Sequence, residues 1–175
     1  EKDVQKTKMA MGLILTLPRI PQVYYGTEIL MENSANRGDH GLIRTDFPGG
    51  WSADETNAFE QEGLTNDQVD FQNYLKKLLN YRKNSDALGY GKTLHFAPFD
   101  GIYSLFRYEG DETVAVLLNK NDDTKTVDTE RFEELELGGY QLRNLITDET
   151  LTWNKTMEIK PGITILTTKS SGENK

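Results

Sequence analysis

The sequence predicts an α+β chain in which an N-terminal α/β unit precedes an antiparallel β-sandwich. Three observations support this prediction. Apolar residues crowd the segment 4–17, and an apolar stripe with helical spacing covers residues 65–84. From Gly91 onward the spacing of apolar residues changes to two, which is typical of half-buried strands. We therefore place the end of the helical part near residue 86.

The composition excludes several classes of function. The chain has 175 residues with 20 Lys and Arg against 28 Asp and Glu, and its formal net charge is −8. An acidic surface repels phosphate backbones, so we expect no nucleic-acid partner. The absence of cysteine excludes disulfides and thiolate chemistry, and His40 and His95 are too few for a multi-histidine metal centre. No apolar run reaches the roughly 18–20 residues of a membrane span, so we expect no membrane partner. With no cysteine and only two histidines, we also expect no metal or cofactor in this chain.

The first predicted element is a mostly buried helix from Val4 to Leu17, with apolar residues on every face. Pro18 and Pro21 end this helix, because proline lacks the backbone N–H that a helix needs. The run from Ile20 to Tyr25 is predicted to be a buried strand, and Gly26 ends it. Helix, strand, long loop and helix in this order are typical of an α/β unit from a parallel sheet.

Residues 30–64 lack a sustained period and are rich in glycine, aspartate, asparagine and serine. Connections in compact domains usually have about 4–6 residues, so a loop of this length is either functional or disordered.

The second helix has the clearest sequence signals. Thr65 and Gln68 form a capping box, and Leu64 with Val69 forms the accompanying hydrophobic staple. The helix is predicted to end near Asn84, shortly before a glycine. Its buried stripe comprises Phe71, Tyr74, Leu75, Leu78, Leu79 and the stem of Arg82.

The C-terminal half is predicted to form seven or eight short strands separated by turn residues. Such a series indicates an antiparallel sandwich or barrel. The predicted domains are therefore 1–86 and 87–170, with a polar tail at 171–175. The expected strands are 94–96, 102–108, 114–118, 126–127, 140–146, 151–153 and 163–168.

Two segments resemble a known enzyme family. The residues from Ile20 to Ile29 read IPQVYYGTEI, which resembles the segment around the eighth barrel strand of the α-amylase family, glycoside hydrolase family 13. The residues from His40 to Trp51 resemble the following loop in its neopullulanase and cyclomaltodextrinase branch. The resemblance implies that residues 1–86 are the last helix–strand–helix of a (β/α)8 barrel and that residues 87–170 are the sandwich called domain C. Arg19 departs from the pattern, because the family usually has glycine there.

The resemblance further implies a retaining α-glucan hydrolase that cleaves α-1,4 links in cyclodextrin, pullulan or maltooligosaccharides without an organic cofactor. Retaining chemistry needs two carboxyl groups roughly 5–5.5 Å apart. The family carries its catalytic carboxylates on barrel strands four, five and seven, and no such motif occurs in this sequence. We therefore expect the catalytic residues, and any calcium site, upstream of Glu1. On this interpretation no catalytic residue lies in this chain, and the chain alone is inactive.

The same resemblance supplies candidate substrate-binding residues. Asp39 and Arg44 are the nearest matches to a family pair that contacts sugars, with a surface ion pair as the alternative. Tyr25 is a candidate for stacking on a sugar or bonding to it, and the alternative is core packing. Trp51 is either a sugar platform or a lid on the second helix. Glu28 is predicted to anchor the loop by accepting hydrogen bonds from backbone amides.

Two other functions remain open at this stage. One is a non-catalytic carbohydrate-binding sandwich, and the other is an inactive structural protein with the amylase shape. Tyr103, Tyr108, Tyr140 and Trp153 are the candidate platform of such a module, although aromatic residues on alternating strands are usually core residues. A homo-oligomer formed through the barrel segment, residues 1–60, also remains open. The partner that the resemblance implies for this protein is an α-glucan oligosaccharide or cyclodextrin. The bacterial periplasm and the cytoplasm both remain open as its compartment.

Overall fold

The computed structural model describes residues 3–32, 38 and 44–169. These residues form two compact units, one of residues 22–76 and one that joins residues up to 21 with those from 77 onward. The domain bounds given above remain a prediction.

The larger unit contains an antiparallel β-sandwich, as predicted. Within the described residues, a six-stranded sheet has the order β1-β2-β3-β8-β5-β6, and a second sheet pairs β4 with β7. All pairs are antiparallel. The strands are β1 (Lys92–Phe99), β2 (Ile102–Glu109), β3 (Glu112–Asn119), β4 (Lys125–Asp128), β5 (Gln141–Asn144), β6 (Thr150–Thr152), β7 (Thr156–Ile159) and β8 (Gly162–Thr167).

An aromatic cluster lies at the centre of the sandwich core. Phe106 is fully buried, and its ring centroid lies 5.1 Å from that of Phe132 and 6.1 Å from that of Trp153. Phe96 completes the cluster with an edge-to-face contact to Phe106 at 5.8 Å. Such edge-to-face pairs stabilise a core beyond the area that they bury. The remaining buried members are Ile102, Ala115, Leu117, Val127, Leu137, Leu142, Met157, Ile159 and Leu166.

The opposite face of the six-stranded sheet is covered by α1 (Val4–Thr16), which lies against β3 and β8. Asp3 caps the start of the helix by accepting a hydrogen bond from the amide of Lys6 at 3.0 Å. The prediction that this helix is mostly buried is correct for one side only, because Ile14 is 42% exposed. Since only one side of α1 packs on the sheet, Met11 and Leu15 are buried while Ile14 faces away.

The second helix, α2 (Asn66–Lys83), has the predicted cap. The Thr65 hydroxyl accepts a hydrogen bond from the Gln68 amide at 3.3 Å, and the Gln68 side chain accepts from the Thr65 amide at 2.9 Å. Phe71 and Leu75 are buried as predicted, but Leu79 is 40% exposed. The buried stripe of α2 therefore covers a narrower part of the helix surface than the apolar periodicity predicts.

A short helix that the sequence did not predict, α3 (Asp86–Gly89), follows α2. Ser85 caps it by accepting a hydrogen bond from the Leu88 amide at 3.1 Å. The buried carboxylate of Glu112 accepts hydrogen bonds from the Tyr81 hydroxyl, the Ser85 hydroxyl and the Ala87 amide. Burial and the bond to Glu112 raise the pKa of Tyr81 well above its ordinary value. This network fixes the end of α2 and the start of α3 on β3.

The predicted strand from Ile20 to Tyr25 is wrong. This segment has no strand geometry, Ile20 is 95% exposed, and a 3-10 helix follows at Thr27–Ile29. A strand of this kind is stable only when neighbouring strands satisfy its backbone groups. No described residue pairs with this segment as a strand, so its apolar composition does not produce one.

Two further elements of the sandwich lie outside the predicted set. The strand β7 pairs with β4, and a 3-10 helix spans Thr129–Leu135. That 3-10 helix is rich in glutamate, yet it inserts Phe132 into the core at 1% exposure.

Candidate substrate-binding site

The candidate site lies on the compact unit of residues 22–76 and begins at a tight turn around Gly26. Gly26 has a φ of 83°, and a Cβ at this position would lie 2.6 Å from the Met31 sulfur. Only glycine avoids both the left-handed strain and this clash. The 3-10 helix that follows ends at Leu30, which also has a positive φ of 51°. This compact turn fixes the direction in which Tyr25 and Glu28 leave the backbone.

Tyr25 connects this turn to the loop near residue 45. Its hydroxyl donates a hydrogen bond to the Thr45 carbonyl at 3.0 Å, and its ring packs on Tyr24 with centroids 4.7 Å apart. Tyr24 is 64% exposed and Tyr25 is 42% exposed. Desolvation, with a smaller contribution from Tyr24, raises the pKa of Tyr25. The two rings therefore form an exposed aromatic surface of the kind on which sugars stack.

Arg44 is exposed and immediately precedes Thr45, the residue that Tyr25 holds. The structure therefore brings Arg44 and Tyr25 together. Asp39, the other member of the predicted sugar-contacting pair, lies outside the described residues, so the sugar contact and the alternative ion pair both remain predictions.

Trp51 lies on a short loop that Asp54 organises. One Asp54 carboxylate oxygen accepts hydrogen bonds from the Gly49 amide at 2.7 Å and the Trp51 amide at 3.1 Å. The Trp51 side chain is 67% exposed, which makes its indole face accessible. Asp54 is a residue that the sequence analysis missed. An aspartate that closes a glycine-rich turn was the available signal.

Glu28 has one carboxylate oxygen, Oε2, that is buried and lacks a hydrogen-bond partner within the described part of the chain. Its predicted role as a loop anchor remains a prediction.

The aromatic residues of the sandwich divide into two groups. Trp153 is only 3% exposed and lies in the core, as expected for aromatic residues on alternating strands, so it is not part of a carbohydrate platform. Tyr140 is 56% exposed, whereas Tyr103 and Tyr108 are half-buried. Trp153 is buried because its ring packs against those of Phe106 and Phe132 inside the sandwich.

Chemically, the described candidate site offers exposed rings, one guanidinium and backbone groups. This combination can stack on a sugar ring and donate hydrogen bonds to its hydroxyls. Among the described residues, no three histidine, aspartate or glutamate side chains cluster as a metal site would require. None of the helices in the described ranges is both long and apolar enough to cross a membrane.

Comparison with known proteins shows that this chain is similar to parts of cyclomaltodextrin-related proteins and amylases. A sequence model of the cyclo-malto-dextrinase C-terminal domain matches residues 93–167. A cyclomaltodextrin glucanotransferase from Geobacillus stearothermophilus is 26% identical over 151 residues, which are 85% of this chain and 19% of that protein. The chain thus spans about a fifth of the length of this curated relative.

Solved structures show the same fold over nearly the whole chain. The α-amylase from Geobacillus thermoleovorans, solved with acarbose, has a TM-score of 0.66 at 23% identity over 94% of this chain and 33% of its own. Cyclic α-maltosyl-(1→6)-maltose hydrolase from Arthrobacter globiformis has a TM-score of 0.63 at 21% identity, covering 95% and 31%. Together with the family match, these structures confirm the predicted resemblance. The chain is therefore similar to the C-terminal part of proteins of the α-amylase family, glycoside hydrolase family 13, and residues 93–167 match the cyclo-malto-dextrinase C-terminal domain.

Proposed function

We propose that this chain is the C-terminal portion of a retaining α-glucan hydrolase that acts on α-1,4 links in cyclodextrin, pullulan or maltooligosaccharides. The observation that carries this proposal is the match of residues 93–167 to a domain of cyclo-malto-dextrinases. The ligands in the names of the similar structures, acarbose and a cyclic maltosyl-maltose, support an oligosaccharide substrate.

The role proposed for this chain is to supply one wall of the substrate cleft. The hydrogen bond from Tyr25 to the Thr45 carbonyl keeps the backbone beside Arg44 in place. An Arg44 held in this way donates hydrogen bonds to adjacent sugar hydroxyls, and the exposed rings of Tyr25 and Trp51 pack on sugar faces. Asp39 is proposed to accept hydrogen bonds from the same sugar.

The catalytic carboxylates are proposed to lie in the part of the enzyme that precedes Glu1. Retaining hydrolysis requires a nucleophile and a general acid on opposite sides of the scissile bond. Neither role falls to a residue of this chain, and any calcium site is proposed to lie in the same preceding part of the enzyme.

Arg44→Ala in the full-length enzyme is expected to weaken glucan processing mainly through binding. Loss of one hydrogen bond from a charged group costs about 1.5–3 kcal/mol, so kcat/KM should fall by roughly ten- to a hundredfold. Steady-state kinetics on a ladder of maltooligosaccharides measures this loss at each chain length.

Arg44→Lys is the matched variant for this experiment, because it keeps the charge but loses the planar fork of donors. It should recover part of the lost kcat/KM. Kinetic parameters for Arg44→Ala that equal those of the wild type at every chain length would contradict a role in binding and leave Arg44 as a loop residue.

A homo-oligomer is a further proposal for the N-terminal segment. Ile20 is 95% exposed and Leu17 is 36% exposed, and exposed apolar side chains of this size favour association. Because α1 itself packs on the six-stranded sheet, the proposed contact is confined to residues after that helix.

A further inference from the structure

A polar cavity of about 320 Å³ lies in the larger unit, beside the C-terminal half of α2. The turn between β5 and β6 and the residues after β8 form its other walls. Its lining includes Lys77, Asn80, Tyr81, Arg143, Asp148 and Lys169. None of these residues belongs to the proposed glucan cleft.

The cavity is positively charged although the chain is acidic. Three cationic side chains and one carboxylate line it, which gives a formal charge of +2 in a chain of net charge −8. The acidic Asp148 is already paired, because its two oxygens accept hydrogen bonds from Lys77 at 2.6 Å and from Arg143 at 2.9 Å. These bonds, that of Lys77 first, lower the pKa of Asp148.

The turn that carries Asp148 is rigid. Asp148 adopts a positive φ of 62°, and the Asn144 side chain accepts hydrogen bonds from the amides of Ile146 at 2.9 Å and Thr147 at 3.2 Å. Lys77 also donates to the Ile146 carbonyl at 2.7 Å. The geometry of the cationic groups is therefore set before any ligand arrives.

Two cationic side chains of the cavity retain unused donors. Arg143 Nε is buried and has no hydrogen-bond partner among the described residues. Lys169 Nζ donates to the Asn84 carbonyl at 3.1 Å and retains further N–H groups for a ligand. A buried, unpartnered N–H is costly, so an anion beside the Arg143 guanidinium would compensate the charge of this side chain.

We propose that this cavity binds a small phosphate-type oxyanion, either inorganic phosphate or a monosaccharide phosphate ester. Arginine and lysine donors match phosphate oxygens in charge and geometry, whereas a neutral glucan would leave the positive charge uncompensated. The volume lies at the lower end of the range of about 300–1,000 Å³ for small-molecule sites, which fits a ligand no larger than one sugar phosphate. This inference does not rest on the proposed function.

The test is a titration of the purified chain at constant ionic strength with inorganic phosphate, glucose 1-phosphate and glucose. Isothermal calorimetry measures binding, and NMR of the arginine side chains follows the Arg143 Nε–H resonance. We expect a shift of this resonance with at least one anion and none with glucose. Equal affinity for both anions identifies phosphate as the ligand, whereas tighter binding of glucose 1-phosphate identifies the ester.

Two variants locate the site. Lys169→Gln should weaken anion binding by about tenfold or more, as expected for the loss of one charged donor. Lys160→Gln is the matched control, because Lys160 is exposed and lies before the opposite end of β8. Its affinity should equal that of the wild type. An unshifted Arg143 Nε–H resonance in the wild-type chain would overturn the proposal, and this outcome does not depend on the folding of any variant. Equal weakening of anion binding by both variants would also overturn it.

Discussion

Replacing Arg107 with alanine is expected to lower the free energy of unfolding of this chain by about 3–5 kcal/mol. Arg107 is only 1% exposed although it carries a charge. Its guanidinium donates to the carbonyls of Thr16 at 3.1 Å and Gly91 at 3.0 Å, and more weakly to that of Lys92 at 3.4 Å. Alanine would leave these carbonyls without a donor and open a cavity beneath the end of α1.

The location of these carbonyls explains why the expected effect is large. Thr16 is the last residue of α1, where carbonyls have no partner within the helix and carry the negative end of its dipole. The last turn of α1 has no basic residue of its own. Arg107 and Arg82 supply the positive charge, since Arg82 donates to the Leu15 carbonyl at 2.7 Å. Desolvation lowers the pKa of both arginines, yet a guanidinium remains charged.

Urea unfolding followed by circular dichroism measures this prediction, with the midpoint and slope compared between variants. Arg44→Ala is the matched control, because it makes the same truncation at an exposed arginine. That control should stay within about 0.5 kcal/mol of the wild type. If Arg107→Ala unfolded at the same urea concentration as the control, the three carbonyl contacts would not be a source of stability.

Phe106→Ala should also destabilise the chain by about 3–5 kcal/mol, through a different mechanism. Phe106 is fully buried and contacts the rings of Phe96, Phe132 and Trp153. Its removal leaves a cavity between the two sheets and breaks three aromatic pairs at once. Since neighbouring residues on a strand face opposite sides, Phe106 and its neighbour Arg107 stabilise opposite faces of the same sheet.

The same urea experiment tests this change, with Phe99→Ala as the control. Phe99 is on the adjacent strand β1 and is 71% exposed, so its truncation should cost less than about 1 kcal/mol. A loss of equal size in the two variants would show that the aromatic cluster is not the centre of the core.

Local signals made part of the fold predictable. The cap formed by Thr65 and Gln68 depends on residues three positions apart, and the structure contains it. The strands β2 and β3 were also predictable, because turn residues bound each of their apolar runs, although both faces of these strands are buried. Phe132 escaped prediction because glutamates surround it, and only the aromatic cluster of the sandwich explains its burial.

Non-local contacts account for the errors. The apolar run from Ile20 to Tyr25 has the composition of a strand, but strand formation depends on partners elsewhere in the chain. A charged residue within a strand, such as Arg107, normally indicates a solvent-facing position. It is buried here because a helix far away in the sequence places carbonyls over it.

The candidate site was predictable only where a motif was present. The sequence identified Tyr25, Arg44 and Trp51, and the structure shows that Tyr25 and the backbone next to Arg44 are in contact. The role of Asp54 depends on how the Gly49 turn closes, and the polar cavity near Arg143 depends on elements far apart in the sequence. The hydrophobic periodicity of the sequence predicts neither the turn closed by Asp54 nor the polar cavity near Arg143.

Release of reducing sugar from cyclodextrin, pullulan and starch tests the central claim most directly when the full-length protein and this purified chain are assayed together. The claim predicts turnover by the full-length protein and none by the chain, because a retaining hydrolase without its carboxylates loses nearly all of its rate enhancement. An inactive full-length protein would instead support a structural homologue without catalysis. Turnover by the purified chain itself would contradict the claim, since it would place the catalytic residues within these 175 residues.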